Sequence, residues 1–145
     1  MPAPGKLTPG EITILASGAL GLIFSFFDFY TAEVGDGGVT VWSSGLFPVA
    51  TLMVILVVIM ALQVALTKFT GLPVPDEPLG FTWPQVHLVL GLVATVYAIA
   101  FLLTDRGFNT DLGIGFWGVL IGCVGALVGA VLLRKERTGP YDRGY

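Results

Sequence analysis

The feature that most constrains this chain is a series of four long apolar runs separated by short polar segments. The runs are Ile12–Tyr30, Leu46–Phe69, Val86–Leu103 and Ile114–Leu133. An α-helix needs about 20 apolar residues to cross a hydrocarbon layer of about 30 Å. Because each run has or approaches that length, the sequence predicts an all-α protein, a transmembrane four-helix bundle embedded in a lipid bilayer.

The composition and the placement of charged residues agree with a membrane protein. Charged residues make up 12% of the 145 residues and hydrophobic residues 54%, whereas a soluble domain carries about 25% charged residues. Four spans joined by short loops predict a single domain over residues 1–145, with 134–145 as a polar tail. The lone cysteine, Cys123, lies in the fourth run and excludes an intramolecular disulfide.

The distribution of basic residues predicts that both termini are cytoplasmic. Lys and Arg in short loops favour the cytoplasmic side of a membrane. With this orientation only Arg106 is external, and six basic residues are cytoplasmic, namely Lys6, Lys68, Arg134, Lys135, Arg137 and Arg143. The predicted localisation is the plasma membrane, multi-pass. The external loops then carry four acids, namely Glu33, Asp36, Asp105 and Asp111.

The chain divides into two helical hairpins that begin in the same way. Thr8 precedes Glu11 and Thr82 precedes Gln85 by three residues, the spacing of a capping box. The offset between Thr8 and Thr82 is similar to that between Trp42 and Trp117 at the starts of the second and fourth runs. This similarity suggests two duplicated hairpins in parallel orientation, and the alternative is coincidence.

Small residues predict how the helices pack. Helices in lipid associate through close backbone approach and polar contacts. The second run has almost no small residues, so we expect it to be the most lipid-facing helix or to meet bulky partners. The fourth run has small residues on one helical face, which predicts packing inside the bundle or, alternatively, an association face; its glycines are Gly118, Gly122, Gly125 and Gly129.

Three polar residues in or near the runs are candidate functional residues. Asp28 lies at the outer end of the first run, and we expect an interfacial position, the alternative being a functional acid in hydrocarbon. Gln63 is expected to bond a neighbouring helix, and a substrate contact is the alternative. His87 is expected at the cytoplasmic interface. Because no His, Cys or carboxylate cluster accompanies His87, the sequence predicts no metal and no cofactor.

Two segments carry a resemblance to a known group of proteins. Phe24–Tyr30, the Gly-rich loop after it and Trp42–Gly45 resemble small four-span integral membrane proteins of actinobacteria, which have no assigned activity. Those proteins often show Pro-Trp-Tyr where this chain has Phe27–Tyr30. The resemblance implies the four-span architecture and implies no catalytic or binding residue.

Taken together, these patterns predict a non-enzymatic membrane protein, an accessory, scaffolding or assembly partner in a membrane complex. The sequence shows no metal cluster, no buried charged pair and no nucleophile–base constellation. The basic cluster Arg134–Arg137 is too small to argue for nucleic acid as a partner. The predicted partners are the lipid bilayer and a second copy or another membrane protein. The alternative is a small oligomeric transporter or channel component.

Overall fold

Helices account for most of the chain in the computed structural model, which describes residues 6–32, 37–75, 77–104 and 110–137. The helices are α1 (Pro9–Phe24), α2 (Val49–Ala65), α3 (Trp83–Leu103) and α4 (Ile114–Arg137), and two short strands are β1 (Tyr30–Ala32) and β2 (Thr110–Leu112). A π-helical turn, Leu66–Thr70, extends α2, and a 3₁₀ turn, Pro78–Gly80, precedes α3. The prediction of an all-α protein is confirmed, with a two-stranded sheet that the sequence did not indicate.

The four helices pack in an up-down-up-down arrangement. Both α1 and α3 lie beside α2 and α4, and the contact between α1 and α4 is the most extensive. Gly10 lies against Gly129 and Phe24 lies against Gly118, so α1 and α4 run antiparallel. We call the end where α1 begins and α4 ends the terminal end, and the opposite end, which carries β1 and β2, the strand end.

Both predicted capping boxes form at the terminal end. The Thr8 amide donates to Glu11 Oε2 at 2.9 Å, and the Glu11 amide donates to Thr8 Oγ1 at 3.3 Å. At the start of α3 the Thr82 amide donates to Gln85 Oε1 at 3.0 Å. Each box satisfies backbone groups that have no partner inside the helix, which explains why α1 and α3 begin where they do.

The duplication remains a prediction, and the two tryptophans do not support it. Trp42 lies in the loop before α2, whereas Trp117 lies inside α4. The offset that relates the two capping boxes therefore does not relate the starts of α2 and α4.

The first helix ends earlier than its apolar run. The run Ile12–Tyr30 predicts helix through Tyr30, but α1 ends at Phe24. The chain turns there because Phe29 is buried in the core. The centroid of its ring lies 5.4 Å from that of Phe101 and 5.2 Å from that of Phe116, both in edge-on geometry. The free energy gained by burying one aromatic side chain exceeds that of a few further residues of helix.

The strand end is closed by main-chain pairing between two loops. Residue Tyr30 pairs with Leu112, and Ala32 with Thr110, in antiparallel register. The Val39 amide also donates to the Tyr30 carbonyl at 3.0 Å. The pairing of β1 with β2 joins the loop after α1 to the loop before α4, so the two hairpins are connected at this end as well as through their helices.

The second helix is not the most exposed one. In the apolar stretches of the three longest helices, the share of residues that is buried is 39% for α2, 28% for α3 and 50% for α4. Its interior face carries Met53, Val57 and Met60, which are buried. Of the two alternatives for the second run, the most lipid-facing position is therefore wrong, and the buried face of α2 instead packs bulky side chains into the core.

Candidate functional site

The contact of α4 with α1 is made through a glycine face, formed by Gly118, Gly122, Gly125 and Gly129. A Cβ atom added at Gly122 would lie 3.0 Å from the Ser17 carbonyl oxygen and 3.1 Å from Gly21 Cα. A Cβ at Gly129 would lie 2.7 Å from Ile14 Cγ1. The corresponding atoms at Gly118 and Gly125 would meet the Phe24 ring and Ser17 Oγ.

Helix α1 contributes small residues to the same contact. A Cβ at Gly10 would lie 2.7 Å from the Leu133 amide nitrogen and 3.0 Å from the Gly129 carbonyl oxygen. Ser17 and Gly21 are also buried on this side of α1. The glycine face is therefore occupied by α1 and is not open to a second copy of the chain.

The three candidate polar residues lie apart. Asp28 is exposed at the strand end, where its carbonyl accepts a hydrogen bond from the Gly115 amide at 2.9 Å. His87 is near the start of α3, close to the terminal end, and is fully buried with its ring 6.0 Å from that of Trp83. The structure turns the His87 side chain into the bundle, and its depth at the cytoplasmic interface stays a prediction.

Gln63 bonds within its own helix. Its Nε2 donates to Thr67 Oγ1 at 3.0 Å, and Thr67 Oγ1 donates to the Gln63 carbonyl at 2.9 Å. Residues four apart face each other on a helix, so the amide finds a partner one turn away. The prediction that Gln63 bonds a neighbouring helix is wrong.

A partly buried ion pair, which the sequence did not indicate, lies at the terminal end. Lys68 Nζ lies 3.3 Å from Glu11 Oε1, with the two side chains 18% and 9% exposed. Beside this pair, the Gly10 amide donates to Glu136 Oε1 at 2.9 Å. These contacts tie the start of α1 to the ends of α2 and α4. Sequence reasoning could have flagged Glu11 and Lys68 as charges bordering adjacent antiparallel runs.

The interior of the bundle carries one hydroxyl that links two helices. Thr95 Oγ1 lies 2.8 Å from the Gly91 carbonyl oxygen of its own helix and 3.1 Å from the Cys123 carbonyl oxygen of α4. A buried hydroxyl placed between two carbonyls holds α3 and α4 in register.

We expect Thr95→Val to lower the free energy of unfolding in detergent by about 1 kcal/mol, because interhelical hydrogen bonds contribute that order of energy. Denaturant titration of helical circular dichroism measures the loss. Thr13→Val is the matched control, since the Thr13 hydroxyl donates only to Pro9 of its own helix, at 2.8 Å. Equal losses in the two variants would show that the bond to α4 contributes nothing.

Among residues 6–32, 37–75, 77–104 and 110–137, no group of three His, Cys, Asp or Glu side chains could hold a metal ion. The acids and bases predicted for the external loops and the tail at Glu33, Asp36, Asp105, Arg106 and Arg143 lie outside these described residues. The described candidate residues thus form no shared site. Among the described residues, the structure shows two separate features, the Glu11–Lys68 ion pair and the packed glycine face.

Comparison with protein-family models, with curated proteins and with solved structures finds no match to this chain. The arguments for its function therefore rest on its own residues and on the surfaces they form.

Proposed function

We propose that this chain is an integral membrane protein that crosses the bilayer four times. The observation that carries the proposal is a belt of exposed apolar side chains around all four helices, with Ile23, Ile59, Val96 and Ile121 as one example from each. Exposing such a surface to water would cost about 25 cal/mol per Å² of apolar area. Three helices, Val49–Thr70, Trp83–Leu103 and Ile114–Glu136, are long and apolar enough to span a membrane.

The first helix is shorter, and the turn after it completes its span. The 16 residues of α1 extend over about 24 Å at 1.5 Å per residue. Phe26 and Phe27 follow in the turn beyond α1 and are exposed. Their rings continue the apolar belt toward the strand end, at the depth where aromatic side chains favour the membrane interface.

The charges at the two ends support cytoplasmic termini in the plasma membrane. The described basic residues all belong to the terminal end, namely Lys6, Lys68, Arg134, Lys135 and Arg137, and the strand end carries Asp28 and Asp111. Basic residues favour the cytoplasmic side. The terminal end is therefore assigned to the cytoplasm and the strand end to the exterior.

Within the membrane, the proposed role is that of a non-enzymatic accessory, scaffolding or assembly partner. Aliphatic, aromatic and methionine side chains make up most of the described interior, in which His87 is also fully buried. Its buried hydroxyls at Ser25, Thr51 and Thr95 donate to backbone carbonyls. Hydroxyls that are already bonded to the backbone offer no open polar path, and this favours a packing role over transport through the single bundle.

Purification in mild detergent from native membranes tests this role against the alternative of a small oligomeric transporter or channel component. Native mass spectrometry reports the composition, and ion flux into vesicles containing the purified protein reports conduction. We expect a fixed stoichiometry with another membrane protein and no flux above that of protein-free vesicles. A homo-oligomer that conducts ions by itself would overturn the proposal and establish the alternative.

A further inference from the structure

The connector between α2 and α3, residues 71–75 and 77–82 of the described chain, carries an almost fully exposed leucine, Leu79. Leu79 is 96% exposed. Its backbone lies in the left-handed region, with φ 58° and ψ 24°. This conformation suits Gly or Asn and is disfavoured for a leucine. An apolar side chain held outward in a disfavoured conformation is a feature that calls for a functional explanation.

Hydrogen bonds hold the connector in this shape. Trp83 Nε1 donates to the Pro75 carbonyl at 2.7 Å, which ties the middle of the connector to the first residue of α3. The Phe81 amide donates to the Pro78 carbonyl at 3.1 Å and closes the turn around Leu79. The leucine is therefore presented by a fixed turn.

The side chains on either side of the turn are also apolar and exposed. Phe69 lies in the last turn after α2, Leu72 begins the connector and Phe81 stands two residues before α3, and all three are exposed. Along the chain they lie between Leu79 and the exposed apolar side chains of α2 and α3. Exposed apolar side chains at the end of a membrane span fit the boundary between headgroups and acyl chains.

We propose that Leu79, together with Phe69, Leu72 and Phe81, forms an interfacial anchor that inserts among the acyl chains of the cytoplasmic leaflet. This inference rests on the proposed membrane location and orientation. The sequence gives the connector two charges, Asp76 and Glu77, and both are acidic. Anionic headgroups would repel these acids, so the lipid is bound through its hydrocarbon and not through its charge.

Spin labelling of the full-length chain in lipid vesicles tests the anchor. Leu79→Cys, Glu77→Cys and Val96→Cys are made in a Cys123→Ala background, since Cys123 is the one native thiol. Collisions of each label with oxygen, which concentrates in hydrocarbon, are compared with collisions with a water-soluble nickel chelate. Glu77 is the matched control because it is exposed in the same connector, and Val96 reports the middle of α3.

We expect the oxygen-to-nickel collision ratio at residue 79 to be several-fold higher than at residue 77, and highest at residue 96. The ratio at residue 79 should be the same in vesicles with and without anionic lipid. Equal ratios at 79 and 77, with a high ratio at 96, would overturn the anchor and assign Leu79 to an aqueous protein-docking surface. A low ratio at residue 96 would instead overturn the proposed membrane span.

Discussion

Gly122→Leu is expected to lower the free energy of unfolding in detergent by about 3 kcal/mol, the upper part of the usual range for overpacking a close contact. A Cβ at this position would already lie 3.0–3.1 Å from backbone atoms of Ser17 and Gly21. Backbone atoms of a helix cannot rotate aside, so the larger leucine must push α1 and α4 apart. Denaturant titration followed by circular dichroism measures the change.

Val131→Leu is the control on the same helix. Val131 is exposed, and one additional methylene on an exposed apolar side chain meets no backbone. We expect its effect to stay within about 0.5 kcal/mol. If Gly122→Leu and Val131→Leu leave stability equally unchanged, α1 and α4 do not pack through the glycine face.

Lys68→Met is expected to lower the free energy of unfolding by about 2 kcal/mol. Removing one partner of a buried ion pair costs about 3–5 kcal/mol, and the partial exposure of the Lys68 side chain reduces this cost. Methionine keeps much of the apolar length of the lysine, so the loss arises mainly from leaving the Glu11 carboxylate without its cation at 3.3 Å. The same unfolding titration measures it.

The double variant Glu11→Gln with Lys68→Met separates charge from packing. Glutamine at residue 11 can still accept the hydrogen bond from the Thr8 amide of the capping box, and it carries no uncompensated charge. We expect the double variant to recover at least half of the loss caused by Lys68→Met. A double variant no more stable than the single one would show that the lysine acts through its packing and not through its charge.

The sequence predicted the helices and their starts well, because both depend on local patterns. Long apolar runs without charges indicate spans by length alone, and the boxes at Thr8 and Thr82 specify helix starts through contacts three residues apart. The spacing of the glycines in α4 likewise indicated a packing face. It could not indicate that α1 would occupy this face, since the choice among three neighbouring helices depends on tertiary contacts.

The errors arose where a tertiary contact overrides a local pattern, or where a local partner replaces a distant one. The early end of α1 follows from the burial of Phe29 between rings of α3 and α4. The Glu11–Lys68 pair depends on how the turn after α2 meets the start of α1. For Gln63 the reverse holds, because Thr67 one turn away satisfied the amide that was expected to reach another helix.

Thiol labelling in intact cells tests the central claim, a four-span membrane bundle with both termini in the cytoplasm, most directly. Gly37→Cys places a thiol on the strand-end loop, where a side chain at residue 37 meets nothing within 4 Å, and Arg137→Cys places one at the end of α4. Each is exposed to a membrane-impermeant maleimide before and after the cells are permeabilised. We predict that residue 37 is labelled in intact cells and residue 137 only after permeabilisation. Labelling of residue 137 in intact cells, with residue 37 protected, would contradict the orientation, and protection of both or labelling of both would contradict the arrangement of the spans.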